Sequence, residues 1–293
     1  MKRKAEFFDS MEIPAPKKRK TDFRRDAKVL IYDLEVSPFV VETYRLYEAT
    51  VKRVLKPQVL LAMSWKWLGE KETHGLTIYD RPGKDNHDDR NLVWELWKLI
   101  DEANIVCAYN GKRFDNKMAN TFFLQYNMKR PSPSKPVDPL ETARRYFLFG
   151  CNKLDYVGKF LNEGKKTEKT YKDCCDALLE GNEKERKQAA KIMNKYCMND
   201  TTLLEKIYQR MLPWMDTHPN MALYAGQQGV CPRCGVNKGF IISKYRRTGA
   251  QINGVQYQCK NCGGYVTRPL TKEERETLKD EGKFKPTFRN LGP

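Results

Sequence analysis

The chain has 293 residues, 40% hydrophobic and 11% aromatic, with a formal charge of +17. That is enough for one ordinary core plus a smaller module, and too apolar for a wholly disordered chain. No apolar run approaches the ~20 residues that span a bilayer, and Met1-Lys2-Arg3-Lys4-Ala5-Glu6 lacks the apolar stretch of a signal peptide, so the expectation is an intracellular, non-membrane protein whose partner is a polyanion, nucleic acid first.

Residues 1–26 are basic, carry Pro14 and Pro16 and show no periodicity, which predicts a disordered arm. Within it Pro16-Lys17-Lys18-Arg19-Lys20 reads either as a nuclear localisation signal or as a loose phosphate-binding tail. Strands are expected over Lys28–Glu35, Val40–Tyr47, Val59–Trp67 and Gly75–Asp80, joined by short polar links that favour antiparallel pairing. Leu92, Val93, Leu96, Trp97, Leu99 and Ile100 recur at helical spacing, and a buried strand, Ile105–Tyr109, follows. Helices are then expected over Asn116–Asn127, with Met118, Phe122 and Phe123 inward, over Asp138–Phe147 and Leu154–Leu161, and over the long stretch Glu183–Met211, which Pro213 ends. Strands followed by helices around a returning strand indicate an α/β domain, a mixed sheet flanked by helices, over 27–215. Residues 216–229 read as a linker, 230–270 as a cysteine module and 271–293 as a charged tail with a short helix.

Three short patterns carry carboxylates. In Asp33-Leu34-Glu35 the acids are two apart on a strand and share a face. Asp115 closes Asn110-Gly111-Lys112-Arg113-Phe114-Asp115, a tight turn from strand to helix. Tyr196 and Asp200 are four apart, on one helix face. Taken singly, each has an ordinary structural explanation: a strand end, a helix cap, an exposed helix pair. Converging, the four carboxylates repel one another unless a hard cation neutralises them, and Mg²⁺ or Mn²⁺ with oxygen ligands suits that need. Asp138 and Asp155 precede helical runs and read as caps rather than ligands.

Asp33-x-Glu35, Asn110-x-x-x-Phe114-Asp115 and Tyr196-x-x-x-Asp200 resemble the three motifs of the DEDD (DnaQ-like) superfamily of 3′–5′ exonucleases, and the tyrosine resembles its DEDDy branch. The likeness runs over about Lys28 to Trp214 and extends to stand-alone phage and bacterial exonuclease-like proteins, for which the compartment would be the bacterial cytoplasm. It implies a ribonuclease H-like fold and two-metal hydrolysis of a phosphodiester at a single-stranded DNA or RNA end. In that scheme Asp33 bridges both ions, Glu35 and Asp200 complete the site of the water-activating ion, Asp115 holds the second through water, and Tyr196 orients the attacking water. Asn110 shapes the turn and contacts the terminal nucleotide. Lys112 and Arg113 contact phosphate or simply face solvent, and Phe114 anchors the loop in the core. The alternatives are a non-catalytic nucleic-acid-binding protein on the same fold and a ribonuclease H-like endonuclease.

Cys231-Pro-Arg-Cys234-Gly and Cys259-Lys-Asn-Cys262-Gly form two knuckles with the spacing of a structural Zn²⁺ site, one ion held by four thiolates in a zinc ribbon. Strands are expected near Gly239–Ser243 and Val255–Gln258. Lys244, Tyr245, Arg246 and Arg247 mix cations with an aromatic, as single-strand binding favours; the alternative is a stapled module that packs on the nuclease or recruits a replication or repair protein. Cys107, Cys151, Cys174, Cys175 and Cys197 read as reduced thiols, with Cys107 in a strand core. Gly164-Lys165-Lys166-Thr167 lacks the earlier glycine and the preceding strand of a phosphate loop, which excludes nucleotide-triphosphatase chemistry.

Overall fold

A computed structural model of the protein describes residues 27–45, 47, 50–164, 171–225, 229–248 and 251–280. The expected arm with its Pro16–Lys20 cluster, most of the Gly164–Thr167 segment and the end of the tail lie outside these residues.

Five strands form the main sheet: β1 (Val29–Val36), β4 (Leu60–Trp67), β5 (His74–Thr77), β6 (Ile105–Cys107) and β7 (Lys135–Val137), in the order β5-β4-β1-β6-β7. β1 is antiparallel to β4 and parallel to β6, and β6 is parallel to β7. The sheet is therefore mixed, as the sequence led one to expect, and β1 lies at its centre.

The two faces of β1 go to different cores. Leu30, Tyr32, Leu34 and Val36 join the cluster containing Leu92, Val93 and Leu96 of α1 (Arg90–Glu102) and Phe122 and Phe123 of α2 (Asp115–Gln125). Val29 and Ile31 join Leu154 and Val157 of α4 (Leu154–Phe160) and Leu203, Leu204 and Ile207 of α6 (Glu183–Met211). α3 (Pro139–Tyr146) and α5 (Tyr171–Glu180) complete the layers. Burying each of these large apolar side chains contributes roughly 1.5–3 kcal/mol, which sets the period-two pattern of β1 firmly in register.

α6 positions much of the rest. It begins at a capping box, in which Asn182 Oδ1 accepts from the Lys184 and Glu185 N–H groups and Glu185 Oε2 accepts from the Asn182 N–H. It crosses the sheet with Cys197, Thr201 and Glu205 one turn apart over β4. Ser64 Oγ donates to the Cys197 carbonyl at 2.7 Å and contacts Thr201 Oγ1 at 2.6 Å. Lys66 pairs with Glu205 at 2.5 Å, both side chains nearly buried. The crossing is so close at β5 that a Cβ on Gly75 would fall 1.9 Å from Asn194 Oδ1, so any larger residue there would have to displace the Asn194 and Met198 side chains.

Several boundaries differ from expectation. Val40–Tyr47 yields only β2 (Val40–Glu42), paired with β3 (Arg53–Lys56) as a separate two-stranded sheet. Its alternating residues have no core to face, and Tyr44 and Tyr47 are exposed. β3, β7 and α5 were not foreseen. β3 is exposed throughout and β7 is three residues long with a central proline, so neither has a legible apolar pattern.

The C-terminal ribbon is the antiparallel sheet β10-β9-β8, with β8 (Phe240–Thr248), β9 (Gln251–Cys259) and β10 (Tyr265–Pro269). Its own core holds the buried residues Val255, Leu270 and Leu278, the last from α8 (Lys272–Asp280). The segment between the domains is not slack: it carries α7 (Ala222–Ala225), and His218 and Met221 are buried. His218 Nε2 meets the Tyr208 hydroxyl at 2.7 Å, and burial lowers the imidazole pKa to about 4, which keeps it neutral. Met221, Val230, Cys234 and Cys262 join the core formed by Tyr208, Met211 and Leu212.

Candidate active site

Parallel strands β1, β6 and β7 deliver side chains at their carboxyl ends, where open α/β sheets characteristically bind ligands. Along one face of β1 the residues run Val29, Ile31, Asp33, Glu35, so apolar packing against α6 gives way to acid within a few residues. Asp33 and Glu35 are partly exposed, and their carboxylates share a group with Cys197 Sγ in which the ligand atoms lie within 4.8 Å of one another. Cys197 lies 3.7 Å from Asp33 Oδ2. Burial, and then the charges of Asp33, Glu35 and Asp200, push its thiol pKa well up, so the sulfur is a protonated neighbour rather than a ready thiolate ligand.

Asp115 opens α2 but does not cap it, the cap position being Phe114. Its Oδ1 instead accepts the Leu34 N–H at 3.2 Å, which ties the carboxylate to the strand residue between Asp33 and Glu35. Burial, together with the charge of Asp138, raises its pKa to about 7. Asp200 is buried on α6, one turn beyond the partly buried Tyr196. The structure thus places Asp33 and Glu35 at one point. Asp115 adjoins them through Leu34, and Asp200 adjoins them through the surroundings of Cys197. Neither Asp115 nor Asp200 joins the 4.8 Å group among the described residues.

Asn110 follows β6 with φ of 64°, the left-handed turn conformation that asparagine tolerates, and its carbonyl accepts from the Arg113 and Phe114 N–H groups. Lys112 is held by Glu141 at 2.6 Å, while Arg113 is exposed. Phe114 does not anchor the core: it holds the cap position of α2 and is 42% exposed, while Phe122 and Phe123 fill the interior. Asp138 caps α3 through the Leu140 N–H at 3.0 Å and also accepts the Asn110 N–H at 2.9 Å. Asp155 is not a cap. Lys153 holds that position in α4, and Asp155 pairs with Lys159 at 2.6 Å.

An open cleft of about 590 Å³ lies against Asp33, walled by Tyr109, Asn110, Arg144, Asn152, Lys153 and Asp155. That volume is within the ~300–1,000 Å³ of small-molecule sites. Sequence reasoning missed Arg144, Lys153 and Cys197. Cys197 read as one of the reduced thiols, Lys153 stood in the Asn152-Lys153-Leu154-Asp155-Tyr156 stretch without a role, and Arg144 carried no motif.

The four cysteines of the ribbon form a complete group, with Cys231 and Cys262 Sγ 3.7 Å apart and Cys234 and Cys259 Sγ 3.8 Å apart. Tetrahedral bonds of about 2.3 Å to one ion place sulfurs ~3.8 Å apart, whereas a disulfide needs ~2.05 Å. Gly235 and Gly263, at matching positions of the two knuckles, both have φ of 75°. The donor set is therefore shaped for a soft, four-coordinate cation.

The mixed sheet with its helical layers defines an α/β domain with carboxylates at the strand ends. The RNase H superfamily profile matches residues 42–212, more than half of the chain, and the chain belongs to that superfamily. The match includes Asn110, Asp115, Tyr196 and Asp200 and begins after Asp33 and Glu35. No curated protein matches. Among solved structures the chain is similar to the family B DNA polymerase from the hyperthermophilic archaeon Pyrobaculum calidifontis, at a TM-score of 0.46 and 12% identity, over 78% of this chain and 32% of that one. The chain thus spans about a third of that polymerase.

Among the described residues, no helix is long and apolar enough to cross a membrane.

Proposed function

We propose that the protein is a metal-dependent 3′–5′ exonuclease of the DEDDy type, hydrolysing phosphodiesters at single-stranded nucleic-acid ends. One observation carries this reading: the Asp33 and Glu35 carboxylates come together, Asp33 lines an open cleft, and Asp115 is fastened to the backbone between them. The donor set fits hard cations. It offers carboxylate oxygens, its one sulfur stays protonated, and a buried carboxyl raised to about 7 is one that a nearby divalent charge would return to the anion.

Asp33, Glu35, Asp115 and Asp200 would hold two Mg²⁺ or Mn²⁺ ions. When bound, such ions lower the pKa of water and stabilise the charge that grows on the attacking and leaving oxygens. The residues of the chain do the rest. Asn110 and the cleft wall seat the terminal nucleotide, and Arg144 and Lys153 hold its phosphate in line. Tyr196 orients the attacking water by hydrogen bonding. Water oxygen bonds to phosphorus, the bond from phosphorus to the 3′-oxygen of the preceding nucleotide breaks, that oxygen leaves with a proton, and a nucleoside 5′-monophosphate departs. The cysteine ribbon holds one structural Zn²⁺, since four protein ligands leave no open position.

The test is digestion of a 5′-labelled oligonucleotide beside a circular single strand. Stepwise shortening from the 3′ end with Mn²⁺, abolished by chelator and by Asp33→Ala, is the expected result. Internal cuts on the circle would make it an endonuclease. Tight binding without cleavage would make it a non-catalytic binding protein.

A further inference from the structure

The cleft at Asp33 does not end at its own wall. A second cavity of about 250 Å³ is lined by Asn110, Arg113, Asp138, Leu140, Glu141, Arg144 and Arg145. It shares Asn110, Leu140 and Arg144 with the first, so the two form one groove with Arg144 at the junction. Both acids in the second cavity are engaged: Glu141 with Lys112 at 2.6 Å, and Asp138 with the Asn110 and Leu140 N–H groups. Of the cations, Arg145 lies 3.9 Å from Asp216 and is largely exposed, whereas neither Arg113 nor Arg144 forms an ion pair among the described residues. The groove therefore passes from a carboxylate end to an arginine end.

That change of sign along one groove matches a polyanion whose terminal phosphate is the reacting one. Guanidinium groups pair with phosphate oxygens two at a time and keep their charge at any working pH. We propose that Arg113, Arg144 and Arg145 form a second phosphate subsite, which takes the phosphodiester behind the terminal nucleotide, with Arg144 as the residue common to both subsites. This rests on the nuclease reading for the direction of the strand. The ligand class is the sugar–phosphate backbone, so the subsite sets affinity and register without choosing among bases.

The measurement is anisotropy of a fluorescein-labelled oligothymidylate in chelator, using the Asp33→Ala protein so that nothing is hydrolysed, over a series of salt concentrations. Arg113→Ala, which touches only the second cavity, should weaken binding about fivefold to tenfold at low salt and flatten the dependence of log K on log salt by about 0.7, the single-strand contribution of one phosphate contact. Arg113→Lys should recover the slope but not the full affinity. Lys98→Ala on α1 removes the same net charge from another part of the surface and should change neither quantity. Unchanged affinity and slope in Arg113→Ala, or an equal loss in Lys98→Ala, would overturn the subsite. The outcomes separate from failure of the enzyme reading: a protein that degrades DNA normally yet ignores Arg113 loses only the subsite, whereas one that digests nothing loses the nuclease reading first.

Discussion

The cysteine cluster and the carboxylate site are two metal-shaped arrangements in one chain, and they are finished to different degrees. Four sulfurs stand at the spacing of a tetrahedral ion, on two knuckles with matching glycines. Of four carboxylates, only Asp33 and Glu35 share a point, while Asp115 and Asp200 wait in buried positions beside them. The difference follows from chemistry. Two-residue knuckles set the geometry of the four sulfurs locally. Carboxylates from a strand and two helices repel one another, and long-range packing alone brings them near. On the proposed reading the cluster is a structural staple, and the acidic site is one that a cation would complete.

Breaking the closed site should have the largest effect. Cys262→Ser removes a ligand from a ribbon whose own core is three buried apolar residues, far less than a fold of that size needs. Structural zinc contributes roughly 10–16 kcal/mol in small zinc modules. Metal analysis should find one zinc per chain in the wild type and almost none in the variant, with residues 230–270 becoming protease-sensitive while the α/β domain stays intact. Retained zinc would break the contrast from its more secure side.

Next is the seat of α6, on which the placement of Asp200 depends. Lys66→Met strands Glu205 in the interior and should cost about 3–5 kcal/mol in chemical denaturation, while adding Glu205→Leu should restore most of it. If the double variant were as unstable as the single, the pair would be more than a paired burial.

A pH series sharpens the comparison at the open site. Asp115 has its pKa raised from 3.8 to about 7, so between those values the folded protein keeps a proton that the unfolded chain has lost. Its contribution is full below about pH 4 and disappears as pH rises through 7. In chelator the wild type should lose stability over that window, and Asp115→Asn should flatten the loss. An unchanged slope in the variant would remove Asp115 as its source. The smallest effect belongs to Phe114. Phe114→Ala should shift stability by no more than about 0.5 kcal/mol, against about 3–5 kcal/mol for Phe122→Ala.

Legibility in the sequence tracked how local each feature is. α6 was readable to the residue, because Asn182 and Glu185 cap it at one end and Pro213 stops it at the other. That Asp33 and Glu35 share a face follows from the two-residue period of a strand, and the start of α2 at Asp115 follows from the Asn110-Gly111 turn. Features that arise only from tertiary packing were hidden. The contact of Cys197 with Asp33 needs α6 laid across β1. The position of Arg144 between two cavities needs α3 beside the Asn110 turn. Phe114 misled because an aromatic beside a motif reads as an anchor, whereas at the cap position of α2 it is exposed.

The central claim concerns divalent ions held by carboxylates, and binding tests it without reference to any substrate. Manganese titrated into the zinc-loaded protein and followed by electron paramagnetic resonance should show two bound ions per chain. In Asp33→Ala that binding should weaken by more than the ~10–100-fold that follows loss of a ligand's outer support. An Asp33→Ala protein that binds manganese as the wild type does, and still shortens a single strand, would contradict the account.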